Sequence, residues 1–121
     1  MYTTHSCHQT GQTYTINSPI SCRTNNTVYK IACKKCPAFV YIGETGRRFM
    51  DRLADHRGYV NQKKDHPVGN HFNQRGHNIT DMIALPIERV HPTGDHLLRK
   101  RREHFWINEY DSITFGANSR T

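Results

Sequence analysis

Two short runs of β-branched and aromatic residues lie almost back to back, Thr27-Val28-Tyr29-Lys30-Ile31-Ala32 and Ala38-Phe39-Val40-Tyr41-Ile42, with only Cys33 to Pro37 between them. Such residues favour the pleated, half-buried surface of a sheet, and so short a connection turns the chain back on itself, so the pair predicts an antiparallel hairpin with its cysteines at the turn. After Gly43-Glu44-Thr45-Gly46 the apolar period changes: Phe49, Leu53 and His56 fall at i, i+4 and i+7. That spacing is one face of a helix, predicted from about Arg47 to Tyr59. A hairpin that runs directly into an amphipathic helix must bury one against the other.

The remaining elements follow from shorter signals. Pro67 suits the first turn of a brief helix, Pro67 to Asn73, which Gly76 would close. Met82 to Val90 is strand-like, with Pro86 arguing for an edge or irregular strand. A last helix is predicted from Asp95 to Tyr110, capped by Asp95 or Thr93, with Phe105, Trp106 and Ile107 as core. Upstream, His5 to Ser21 is polar, with Thr13 to Ile16 as a possible edge strand. The expected class is α+β, a small sheet covered by helices in two layers, with residues 1–21 an N-terminal arm and 22–121 the domain.

At 121 residues there is room for one core, burying about two-thirds of the unfolded surface. Lys and Arg number 17 against 10 Asp and Glu, a net charge of +7, which favours polyanionic partners such as nucleic acid. No apolar run approaches the roughly 20 residues needed to span a bilayer, and the opening MYTTHSCHQT lacks the apolar segment of a signal peptide. A soluble intracellular protein with no membrane partner is expected.

Three groups of residues can carry chemistry. In the first, Tyr29 and Tyr41 lie on neighbouring strands while Arg52 and His56, at i and i+4, point from one helix face. Phosphodiester cleavage needs a base for water, a cation for the phosphoryl oxygens and a proton donor or metal for the leaving oxygen, and these residue types can supply them. Ordinary strand tyrosines and a solvated helix face would give the same pattern. In the second, Glu103 in Arg101-Arg102-Glu103-His104-Phe105-Trp106-Ile107 can offer oxygen to a hard cation; the plainer alternative, favoured on the residues alone, is a helix salt bridge with Arg99.

The third group resembles a metal site. Cys33-x2-Cys36 has the spacing of a zinc half-site, and His71 and His77 enclose five residues, a usual histidine spacing. With 34 residues between Cys36 and His71, folding would have to bring the halves together. His66, Cys7 and Cys22 are competing ligands. Two unrelated thiols or a disulfide are the alternatives. A redox role fits less well, because the cysteines do not open a helix.

Read in series, Val28-Tyr29, Tyr41-Ile42-Gly43-Glu44-Thr45-Gly46, Arg52-x3-His56 and Glu103-His104-Phe105-Trp106-Ile107 resemble the GIY-YIG nucleases. Cys33-x2-Cys36 inside the hairpin, with His66-Pro67-Val68-Gly69-Asn70-His71-Phe72 and Gly76-His77, is similar to the endonuclease of Penelope-like retroelements. The likeness spans about Cys22 to Asn118. The first motif reads Thr27-Val28-Tyr29 where the family has glycine and isoleucine, and the tyrosine is retained. Cys7 stands alone where related domains often carry more cysteines.

The resemblance implies a three-stranded antiparallel sheet flanked by helices and a DNA endonuclease using one Mg²⁺ or Mn²⁺. It implies Tyr29 and Tyr41 as the paired tyrosines, one of them the base, Arg52 on the transferring phosphate, His56 in base or leaving-group chemistry, Glu103 on the catalytic metal, and Asn118 near the site. Gly43 would admit a close substrate phosphate. Arg47, Arg48, Lys63, Lys64, Arg99, Lys100, Arg101 and Arg102 become candidates for phosphate contacts, and Cys33, Cys36, His71 and His77 for Zn²⁺. The expected product is a nick with 5′-phosphate and 3′-hydroxyl ends, priming reverse transcription at nuclear DNA from within a larger reverse-transcriptase polyprotein. The rival expectation is a non-catalytic, zinc-stabilised DNA-binding module.

Overall fold

The computed structural model describes the backbone of residues 3–6 and 13–16, and residues 20–90, 95–112 and 118 in full. Cys7 and Thr93, named above as a metal ligand and a cap, lie outside the described residues, as do Gly116 and Ala117 beside Asn118. Strands β1 (Thr3–Ser6) and β2 (Thr13–Ile16) pair antiparallel as a separate hairpin. The main sheet has β3 (Thr27–Cys33) at its centre, with β4 (Val40–Thr45) and β5 (Met82–Arg89) on either side, both antiparallel to it. The helices are α1 (Phe49–Asn61), α2 (Pro67–Phe72) and α3 (His96–Tyr110).

The central strand explains the layering. Tyr29, Ile31 and Cys33 are buried on one face, where Phe49, Leu53, Val60, Val68 and Phe72 of α1 and α2 cover them. Val28 is buried on the other, against Ile42, Val90 and Ile107. A strand with both faces buried needs cover on both sides, so the expected two layers become three, with α3 on the far face.

Each edge is finished differently. In β5, Glu88 pairs with Val28 but Pro86 pairs with Tyr29, a register shift that leaves Ile87 unpaired beside the proline; an edge strand tolerates a residue without an N–H, and the predicted irregularity is there. On β4, Asn118 stands in for a strand: Ile42 N–H donates to Asn118 Oδ1 and Asn118 Nδ2 donates to Ile42 O, each at 2.8 Å.

Three local expectations shift. The second strand begins at Val40 and runs through Thr45, leaving Ala38 and Phe39 outside it, because Phe39 turns to stack on His71 with ring centroids 3.7 Å apart. Helix α1 starts at Phe49 and ends at Asn61, two residues later at each end than predicted. On α3, Asp95 caps as predicted, its carboxylate accepting from Leu98 N–H at 3.0 Å, but Phe105 is 41 % exposed rather than core. The helix is docked by its other faces: Ile107 is buried, and Glu88 of β5 accepts two bonds from Arg102 and one from Trp106 Nε1, at 2.7–2.8 Å. Among the described residues no helix is long and apolar enough to cross a membrane.

Candidate active site and metal centre

Register places Tyr29 opposite Gly43, and the phenol of Tyr29 lies across that glycine. A Cβ built on Gly43 would sit 2.3 Å from Tyr29 Oη. The glycine is therefore required by a side chain of the protein itself. From its place over Gly43 the hydroxyl of Tyr29 reaches α1, where His56 Nε2 is 2.7 Å away and Arg52 Nε donates to it at 3.2 Å.

The protons in this chain can be assigned by elimination. Arg52 is always a donor. Burial raises the pKa of Tyr29, against the lowering effect of Arg52, so its hydroxyl keeps its hydrogen. Burial, then Arg52 and His66, push His56 down to about 3, so its ring is neutral. Tyr29 therefore accepts from Arg52 and donates to His56 Nε2, and the ring hydrogen of His56 sits on Nδ1, which is buried without a partner.

Around this core the α1 face carries more than the expected pair. Arg52 also donates to Tyr59 Oη at 3.1 Å and to Asp55 at 3.3 Å. Tyr41 is half-buried with its ring 5.5 Å from those of His56 and His66. His66 caps α2 by accepting from Val68 N–H through Nδ1 at 3.1 Å, and its ring lies 4.6 Å from that of Tyr59. His66 is thus drawn into the tyrosine cluster, not to the cysteines. Sequence reasoning passed over Tyr59 although it lies at i+7 from Arg52, the same helical face.

Glu103 approaches from α3. It is buried, and burial raises its pKa while Lys100, donating at 3.2 Å, opposes the rise. Its charge adds a small upward push to the pKa of Tyr29 and Tyr41, behind burial, which raises both, and Arg52, which lowers both. The expected Arg99 salt bridge to Glu103 does not form. Arg99 instead donates to Glu44 of β4 at 2.8 Å and to Asn26 at 3.2 Å, a long-range partnership that helix spacing cannot reveal.

Among the basic residues proposed for phosphate, Arg47 pairs with Asp55 and Arg48 with Asp51 at 3.0 Å, both exposed. Lys63 is exposed with a left-handed backbone, φ 54°, and Lys64 stands 5.1 Å from the Tyr59 ring centroid.

The cysteine and histidine group does come together. Ligand atoms of Cys33, Cys36, His71 and His77 all lie within 4.8 Å of one another. A tetrahedral zinc with Zn–S of about 2.3 Å and Zn–N of about 2.0–2.1 Å needs such a group. Both thiols are free, and His71 Nε2 is buried without a hydrogen-bond partner, the orphaned donor atom a metal would satisfy. His77 Nδ1 faces the Arg75 carbonyl at 3.4 Å, leaving Nε2 toward Cys36 Sγ at 3.2 Å; a carbonyl on the far nitrogen is a usual support for a metal-binding histidine. Lys35 ties the two loops, donating to Gly76 O at 2.6 Å and pairing with Asp81 at 3.3 Å. Cys22 is not part of this group and packs against the core.

Among solved structures the chain is similar to the catalytic domain of the homing endonuclease I-TevI, with a TM-score of 0.66 and 22 % identity over 80 % of this chain and all of that one. No protein-family model and no curated protein matches it. A three-stranded antiparallel sheet with helices on both faces, in the arrangement of that catalytic domain, makes the fold of this chain the α+β GIY-YIG nuclease fold.

Proposed function

We propose that this protein is a metal-dependent DNA endonuclease that nicks its substrate to leave 5′-phosphate and 3′-hydroxyl ends. The observation that carries the reading is the convergence of Arg52, His56, Tyr29 and Tyr41 in one cluster, on a fold shared with an endonuclease catalytic domain.

Glu103 would hold Mg²⁺ or Mn²⁺: it offers a hard oxygen whose charged form burial disfavours and Lys100 only partly restores, and a divalent cation would favour that charged form further. Bound there, the metal neutralises charge on phosphate oxygens. The chain's own residues do the rest. Tyr41 is the tyrosine that faces substrate, because it is half-exposed while Tyr29 is wholly buried with its hydroxyl committed to Arg52 and His56. Arg52 is held ready by Tyr29, Tyr59 and Asp55 to meet charge that develops on the phosphoryl group. Neutral His56 accepts the Tyr29 hydrogen bond at Nε2 and so fixes the phenol that in turn holds Arg52.

Cys33, Cys36, His71 and His77 would bind structural Zn²⁺, and their place beside the nuclease cluster supports the retroelement reading: a domain of a larger reverse-transcriptase polyprotein that opens nuclear DNA to prime reverse transcription. Supercoiled plasmid incubated with the protein and Mg²⁺ or Mn²⁺ tests the reading. Conversion to open circles whose nick a polymerase extends directly is expected. Plasmid bound but uncut would favour the DNA-binding module instead.

A further inference from the structure

Glu103 does not face an empty space. The Nζ of Lys100 lies 3.2 Å from Glu103 Oε1 and 3.8 Å from Glu44 Oε2, so one ammonium is shared by two carboxylates from different elements. The carboxylates are sheltered, their side chains 12 % and 11 % exposed, whereas that of Lys100 is 46 % exposed.

The three partners differ in how firmly they are held. Glu44 is anchored through its other oxygen, Oε1, to Arg99 at 2.8 Å. Arg99 is fixed in turn by Asn26 and packs so closely on Gly46 that a Cβ there would lie 3.2 Å from its guanidinium. That leaves Glu44 Oε2 facing Lys100, with His96 Nδ1, on an exposed side chain, 3.7 Å away. Among the described residues Lys100 has no comparable anchor: beyond the two carboxylates its side chain, 46 % exposed, can swing toward water at little cost.

We propose that Lys100 is the resident counter-ion of the Glu103 cation site, that Glu44 is the site's second carboxylate, and that a divalent ion binds by displacing the Lys100 ammonium. The inference rests on the reading that Glu103 holds the metal. Arg99 is then the permanent clamp and Lys100 the replaceable charge. A hard divalent ion suits such a place because it needs only one or two carboxylates and keeps several waters. The arrangement keeps the carboxylates partnered when no metal is bound, and makes metal affinity a competition within the protein.

Direct Mn²⁺ titration of the zinc-containing protein, with free Mn²⁺ followed by its electron paramagnetic resonance signal, tests this without reference to cleavage. An exposed ion pair contributes modestly, so Lys100→Met should tighten Mn²⁺ binding by about three- to fivefold. Glu44→Gln should weaken it by a similar factor, and Arg101→Met, which removes a neighbouring exposed charge, should leave it within about twofold. Equal tightening by Lys100→Met and Arg101→Met would show only the bulk field and overturn the inference. So would an unchanged affinity in Glu44→Gln when Glu103→Gln abolishes binding. Binding that survives Glu103→Gln unaltered would instead remove the metal from Glu103 and defeat the underlying reading.

Discussion

His56 is fully buried with its ring held neutral, and that fixes how the protein must respond to acid. Its pKa is about 3 in the fold against about 6.5 for a free histidine. The unfolded chain therefore binds the extra proton between those values, so stability is undiminished above about pH 6.5 and falls as pH drops toward 3. Urea denaturation between pH 7 and 4 should show this loss, with His56→Asn flattening the slope by about one proton, near 1.4 kcal/mol per pH unit; an unchanged slope would mean His56 titrates normally. Gly43→Ala should destabilise by about 1–3 kcal/mol and misplace Arg52, because the new methyl would lie 2.3 Å from the Tyr29 hydroxyl and push the phenol aside. Urea melts and nicking rates read the two effects separately. That a glycine stands at residue 43 was plain in the sequence, but its reason was not: only strand register puts Tyr29 over it.

The elements that carry the site were legible where the signal was local. Alternating and β-branched residues marked the strands, and Phe49, Leu53 and His56 marked the buried face of α1. What periodicity could not supply was the partner of each exposed-looking charge. Arg99 finds Glu44 across the edge of the sheet although Glu103 lies one turn away, and His66 is claimed by the cap of α2 and the rings of Tyr41, His56 and Tyr59. The cysteine and histidine spacing was readable; that a hairpin end and a six-residue helix meet depended on the fold. So short a helix has little stability alone, and zinc joining its last turn to β3 should matter. Chelation is expected to lower the melting temperature by more than about 10 °C, with zinc analysis giving one ion per chain before treatment. A metal-free protein with the same melting temperature would contradict the zinc assignment.

For the whole molecule, a charge of +7 directs it toward polyanions, but the structure limits how many cations are available. Arg99 and Arg102 are committed to Glu44 and Glu88, so of the basic residues singled out in the sequence about four to six remain for phosphates. Each contact contributes a slope of about −0.9 to the salt dependence of duplex binding, so a slope of about −4 to −5 is expected in a fluorescence-anisotropy titration, and Arg102→Ala should lower stability more than it changes that slope. Arg52 and Glu103, from helices on opposite faces of the sheet, are proposed to serve one reaction. Single-turnover nicking of supercoiled plasmid in Mg²⁺ by the wild type, Arg52→Ala and Glu103→Ala, each shown to be folded by circular dichroism, tests it most directly. Losses of at least about 10²-fold in both variants are predicted; a folded variant of either residue that nicks at the wild-type rate would remove that residue from the reaction.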